Sequence, residues 1–417
     1  MKQPYIWDNY SDQPYPLKDK VYKKVMRKKA FPSLLSTALR SIVLFPIAII
    51  MMPFIKNKKV DTEHFFCLGV DYQRDPQESI LLVHELGVKH ILVRIKLWEI
   101  DTLDELTSFL SHFKNTKITL KVMQDRENVE DLVLFRSNLQ RIFSSLHDIV
   151  DIFEIGTTIN RAKWGFFSVD EYNQFFQTAY MLKQEKYPNL DLIGSGVIDF
   201  EYHFTIHTLF NFYNYKYDGV SSLLYVDRRG APENTQMGFS TSDKISLLAT
   251  MTWLSSKTKQ KLYLTEVNWP ISNTSPYAPT SEKECVDPDS YADYMLRYYL
   301  LSFASQQVDS LSWHQLIAPG YGLIDNRNGI KKYPAFNTYK TMIKYLNDAQ
   351  FLRLDINRGH YICQCLINKK LLQIHWSLQT HSIKNEKYFE VYSRDGEKIE
   401  DETLHIGSSP IYLFVNN

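Results

Sequence analysis

The chain has 417 residues, of which 44% are hydrophobic and 23% charged, and 48 Lys and Arg nearly cancel 47 Asp and Glu to leave a net charge of +1. That balance is the one of an ordinary globular protein and excludes a basic nucleic-acid footprint, while the length admits one α/β barrel of roughly 250 residues with appendages. Aromatic residues reach 14%, with 27 Tyr and 7 Trp. Flat rings of this kind either fill a core or stack on the apolar faces of sugars.

The amino-terminal stretch 1–60 differs from everything after it. A cationic run, "KDKVYKKVMRKK", precedes an apolar block, and lysines follow the block again. No charge falls between Ser41 and Ile55, yet this block is shorter than the roughly 20 residues a membrane span needs and contains Pro46 and Pro53. It begins too far into the chain for a signal peptide, and no small-residue cleavage site follows it. Two membrane readings remain. In the favoured one, residues 18–59 lie on an inner or cytoplasmic membrane surface as an interfacial anchor, their lysines pairing with anionic headgroups, and the following domain is cytoplasmic. In the other, a single span holds the basic flank inside and places that domain outside. A buried helix packed on the domain is the non-membrane alternative.

From Phe66 onward short β-rich runs alternate with helical patterns. The strands read "FCLGVDY", "HILVRIKLW", "ITLKVMQ", "VDIFEIGTT", "LDLIGSGVID", "GVSSLLYVD", "KLYLTEVNW" and "DSLSWHQLI". Between them lie stretches such as "DPQESILLVHELGV" and "VDEYNQFFQTAYMLKQEK", whose apolar residues recur at three and four and which open on capping residues. Eight such units over residues 61–348 predict a (β/α)8 barrel with its chemistry at the carboxyl ends of the strands. No G-x-G-x-x-G follows the first strand, so a nucleotide fold is disfavoured.

After the helix "YPAFNTYKTMIKYLND" the pattern turns to short alternating runs, which predicts a small antiparallel, sandwich-like β domain over 349–417 with a packing role. Cys67, Cys285, Cys363 and Cys365 are too few and scattered for a disulfide framework or a zinc site, and "HYICQCLI" reads as an apolar strand. No metal or cofactor is implied.

Glu266 closes the seventh strand, so its carboxylate points into the barrel mouth. A carboxylate there can attack an anomeric carbon, splitting one hard displacement into two easier ones. Arg94, ending the second strand, would lower the pKa of Glu266 by proximity of opposite charge. The phenol of Tyr225 could donate to the carboxylate, Trp313 and Trp269 offer stacking faces, and Asn160, Asn268, His314 and Gln315 could bind hydroxyls.

On these residues the chain resembles the retaining glycoside hydrolases of the large barrel clan A, in particular their xylosidase/iduronidase-type members, from Phe66 to the carboxyl terminus. The resemblance makes Thr265-Glu266 the pair that carries the nucleophile, Trp313 the floor of the sugar site, Tyr225 the aromatic beside the nucleophile and Arg94 the residue that keeps it ionised. It implies a glycan or glycoconjugate as partner.

In that family the fourth strand ends in Asn-Glu, the Glu being the general acid and base. Here "EIGTTIN" puts Thr157 and Thr158 on those positions. A Thr hydroxyl does not ionise in the useful range and cannot protonate a poor leaving group. Glu154 shares the inward parity of Thr158 but lies deeper, where it could orient Arg94 or another buried base. Asp71, Glu99, Asp125, Asp199, Asp227 and Glu233 are other acids near strand ends. Losing the acid costs most with sugar leaving groups and much less with activated donors such as nucleotide or phosphate esters. Three functions therefore stay open: a glycosidase or transglycosidase using Glu266, a catalytically impaired glycan-binding barrel, or a scaffold for envelope-polysaccharide or lipopolysaccharide assembly at the membrane.

Overall fold

The computed structural model describes residues 6–385 and 388–415. The eight strands anticipated from the sequence are Phe66–Val70, His90–Lys96, Lys117–Met123, Ile152–Ile155, Asp191–Ile198, Gly219–Leu223, Leu262–Val267 and Ser310–Trp313. All pair in parallel and the eighth closes on the first, giving a barrel. Their near-continuous Val, Ile and Leu content follows from burial on both faces. Local chemistry sets the helices between them. Ser240 and Asp243 form a capping box at the start of Thr241–Leu254, and Asp287 caps Pro288–Ala304, whose first residue is a proline. Gly87, at φ 69°, ends Pro76–Leu86 in the left-handed conformation a side chain would resist.

Register builds the floor of the mouth. Arg94 pairs with Lys121 across the second and third strands, and Lys121 with Glu154 across the third and fourth. Three charged residues thus stand side by side at one level. Between the seventh and eighth strands the register shifts: Leu264 pairs with Leu311 and Val267 with Trp313, so Thr265 and Glu266 together oppose the single Ser312. This bulge frees the seventh strand from strict alternation, and both residues aim inward.

Beyond the barrel helix Pro334–Leu346, a five-stranded antiparallel sheet, Gln350–Asn357, His360–Ile367, Lys370–Ser377, Ile411–Val415 and Tyr388–Ser393, stands with a two-stranded pair, His381–Lys384 and Thr403–Ile406. Cys363 and Cys365 are buried on the second of these strands. The sheet is tied to the barrel by Glu233, which accepts from Arg297 and, at 2.8 Å, from the indole of Trp376. Glu233 therefore serves architecture and not the mouth.

The amino-terminal region folds as two pieces. Lys20–Met51 is one helix, continuous through Pro32 and Pro46. It starts beside the mouth, where Tyr22 meets Phe167 edge-on, and the chain after it reaches the opposite end, where Lys58 pairs with Asp309 at 2.9 Å. Small and polar residues face the barrel. Thr37 bonds His207 at 2.7 Å, Ser33 accepts from the Asp170 amide, and Ala30 and Ala48 are buried. Leu35, Leu39, Ile42, Val43 and Ile50 face outward and are exposed. The second piece is a hairpin, Trp7–Asp8 paired with Gln13–Pro14, that lies on the barrel mouth.

Glu233→Ala leaves the buried Arg297 guanidinium without its carboxylate and is expected to cost about 3–5 kcal/mol. Urea unfolding checks this, and Glu233→Gln, which keeps an acceptor for the Trp376 indole, is expected to cost less.

Candidate active site

Glu266 sits at the base of a pocket of about 170 Å³ at the carboxyl ends of the strands. Its side chain is 14% exposed. The Tyr225 hydroxyl donates to Oε1 at 2.8 Å, and the Lys121 ammonium lies 3.4 Å from Oε2. Lys121 is equally 3.4 Å from Glu154, whose other oxygen accepts from the Thr265 hydroxyl at 2.8 Å. One buried cation thus serves two carboxylates. Burial pushes both acids up. For Glu154, fully enclosed, burial prevails and its carboxyl is raised. For Glu266 the Lys121 ammonium, aided by His314, Arg94 and the Tyr225 phenol, outweighs burial and holds the carboxyl at about 2.

The direct ionic partner of Glu266 is therefore Lys121, not Arg94. Arg94 lines the pocket but is committed to Asp12, delivered by the amino-terminal hairpin. Asp12 turns at φ 55°, its amide donating to the Asp8 carbonyl at 2.8 Å, and its carboxylate also accepts from the Tyr321 hydroxyl at 3.2 Å. Side chains anchor the hairpin: Lys163 donates to Gln13 at 2.6 Å, Gln13 to the Pro279 carbonyl at 2.9 Å, and Trp7 packs between Trp98 and Trp164.

The pocket gathers Arg94, Thr158, Tyr225, Glu266, Asn268 and His314 of the residues singled out from the sequence. Burial lowers His314 to about 4, so it is a neutral imidazole at physiological pH, stacked on Tyr321. Asn268 donates to the His314 carbonyl at 2.7 Å and keeps its own oxygen unpartnered. Other expected residues lie outside. Trp313 and Trp269 stack on each other with no exposed surface, the Trp313 indole donating to Tyr291. Asn160 bridges strand-end loops through Ile198 and Glu201, and the Thr157 backbone is clamped by Gln124. Gln315, also buried, donates to Tyr321.

Thr158 itself is buried and holds φ 51°, a conformation that costs a β-branched residue on the order of 1–2 kcal/mol. Of the strand-end acids, Asp199 and Glu201 are taken by Arg161 at 2.7 Å each, Asp125 caps a helix and Glu99 pairs with Lys96. The carboxylates lining the pocket, among the described residues, are Glu266 and Asp12. Burial raises Asp12, but Arg94 and Arg74 more than offset it and keep the carboxyl far below its ordinary value, so Asp12 has no proton to give.

No family model and no curated protein sequence matches the chain. Solved structures do. A family 39 glycoside hydrolase from Bacteroides cellulosilyticus WH2 superposes with a TM-score of 0.65 at 14% identity, covering 86% of this chain and 82% of that one. A family 39 β-xylosidase from Caulobacter crescentus gives 0.58 at 11% identity over 87% and 98%, and a family 30 endoxylanase from Clostridium papyrosolvens C71 gives 0.58 at 10% over 87% and 97%. At these identities the likeness establishes the fold alone: a closed parallel eight-stranded barrel with a carboxyl-terminal β domain, the architecture these hydrolases share.

Replacing Lys121 by Met removes the charge that outweighs burial at Glu266. The expected result is a Glu266 carboxyl that titrates at about pH 4.5 or above, where the native carboxyl stays ionised down to about pH 4. Carbon-13 NMR of the side-chain carboxyl across pH in both proteins checks it.

Proposed function

We propose that the chain cleaves or transfers a glycosyl unit of a glycan or glycoconjugate through a covalent ester on Glu266. One observation carries the reading: an ionised carboxylate, fixed by a phenol and an ammonium, faces a small pocket at the end of the seventh barrel strand. Ionisation is what a nucleophile needs, and the Tyr225 bond fixes its orientation. A pocket of about 170 Å³ suits one sugar ring more than an extended chain. The xylosidase and xylanase neighbours share the scaffold.

Thr158 favours a second reading, a barrel that binds glycan without turning it over, because no pocket carboxyl holds a transferable proton. Incubation with a panel of 2-deoxy-2-fluoroglycosyl fluorides separates the two. Fluoride departs unprotonated, so a working nucleophile is expected to trap an adduct on Glu266, located by peptide mass spectrometry and lost in Glu266→Gln. Glycan binding without an adduct across the panel supports the binding reading instead. Under the first reading, Thr158→Glu is expected to raise aryl glycoside hydrolysis by about 10²-fold or more, the usual worth of a general acid.

The helix Lys20–Met51 and its 3₁₀ extension to Phe54 are long and apolar enough to cross a membrane. Its polar contacts along the barrel flank support the in-plane anchor over a perpendicular span, since a span would drag the flank into the bilayer. Exposed Leu35, Leu39 and Ile42 then enter the lipid. Changing all three to Glu is expected to abolish flotation with anionic vesicles while leaving Glu266 labelling intact.

A further inference from the structure

Two features of the mouth point to the same kind of leaving group. The first is the lack, among the described residues, of a pocket carboxyl that holds a proton. Thr158 does not ionise, Asp12 is locked as a carboxylate, and the imidazole of His314 is neutral. The Tyr225 phenol is raised by burial and by Glu266, to which it already donates. Among the described residues that line the pocket, a sugar oxygen leaving as an alkoxide finds no carboxylic acid, imidazolium or uncommitted phenol to protonate it.

The second is the charge on the rim. Arg161 and Lys163 follow Thr158 by three and five residues, and Arg229 lies on the loop after the sixth strand; all three line the pocket. Arg161 is matched by Asp199 and Glu201. Lys163 has the neutral amide oxygen of Gln13 at 2.6 Å, and Arg229 lies 3.6 Å over the Tyr225 ring with the Asn268 carbonyl at 3.5 Å. No carboxylate pairs with either among the described residues. Lys163 is lowered by burial and by the neighbouring Arg161, as expected of a cation short of counter-charge. The same mouth already draws one anion, Asp12, onto Arg94.

Resting on the Glu266 reading, we propose that the leaving group is a phosphate: the substrate is a glycosyl phosphate or diphosphate, with Lys163 and Arg229 binding its oxygens. Glu266 Oε attacks the anomeric carbon as the C1–O bond to phosphate breaks, and the bonding electron pair leaves with the phosphate. A diphosphate, or a 1-phosphate that already carries one proton, departs as an anion whose conjugate acid has a pKa of about 6, so no general acid is needed. In the second step water adds to C1, the ester C–O bond breaks to regenerate the carboxylate, and the water proton ends on the released phosphate. A vacant acid position is then no defect. The cations stabilise charge that develops only as the bond breaks, which is where binding accelerates a reaction.

The test uses the full chain and matched donors of one sugar, chosen from the fluoride panel: the glycosyl fluoride, an aryl glycoside, the 1-phosphate, a nucleoside diphosphate sugar, and a prenyl diphosphate sugar in vesicles. At least one phosphate donor is expected to exceed the aryl glycoside in kcat/KM by about 10²-fold. Whether the nucleotide or the lipid donor is consumed identifies the source, and either outcome supports the proposal. The ratio of phosphate-donor to fluoride kcat/KM is expected to fall about tenfold or more in Lys163→Gln and in Arg229→Gln, the worth of one charge-assisted hydrogen bond, and to return in Lys163→Arg. Labelling of Glu266 by fluoride with no preference for any phosphate donor, or an unchanged ratio in both variants, overturns the proposal while leaving the Glu266 reading standing. Absence of labelling by any fluoride overturns that reading itself.

Discussion

A single ammonium, that of Lys121, stands between two buried carboxylates, and the chemistry of the mouth depends on it. At an effective dielectric of about 20, opposite charges 3.4 Å apart attract by on the order of 5 kcal/mol, comparable with the several kcal/mol that taking an ion out of water costs. One lysine cannot offset the burial of two anions equally. The deeper Glu154 is raised, while Glu266, helped by Tyr225 and the more distant Arg94, stays ionised. The asymmetry follows from position: Glu154 lies one layer down on the fourth strand, and the bulge in the seventh lifts Glu266 to the pocket.

A second ion pair closes the site from outside the barrel. Arg94 belongs to the same layer as Lys121, yet its guanidinium is claimed by Asp12 from a hairpin that precedes the long amino-terminal helix. The mouth is therefore walled on one side by Ser11, Asp12 and Gln13, and the chain that continues from them runs down the barrel flank with its apolar face outward. The long helix and the pocket wall are joined through the few residues between Pro14 and Lys20. Cations at the rim and an ionised carboxylate at the base give the pocket two regions of opposite charge.

The barrel was legible because its signals are local and repeated: eight β-rich runs, each followed by a helical period, leave few topologies. The places of Glu266 and Tyr225 at the mouth were legible because one stands near the end of its strand and the other just past it. Other parts were not. Lys121 carried a signal, a lysine inside the apolar run "ITLKVMQ" with inward parity, but strand alternation alone does not say which neighbour it meets. The bulge at Thr265-Glu266 is invisible to a period-two reading. Trp313 looked like a stacking platform, but it packs on Trp269 and Tyr291, and aromatic type does not distinguish a wall from a core. Asp12 sat in a stretch whose cationic and apolar neighbours spoke of membrane, and its contact with Arg94, 82 residues on, exists only once the chain is folded.

The central claim, that a buried lysine holds Glu266 ionised at the pocket floor, is tested most directly by carbon-13 NMR of the Glu266 side-chain carboxyl, assigned by its loss in Glu266→Gln. Between about pH 7.5 and about pH 4 the resonance should stay at its ionised position, because the carboxyl titrates at about 2. A titration midpoint at or above about 4.5, the range of an unassisted or merely buried glutamate, would contradict the account.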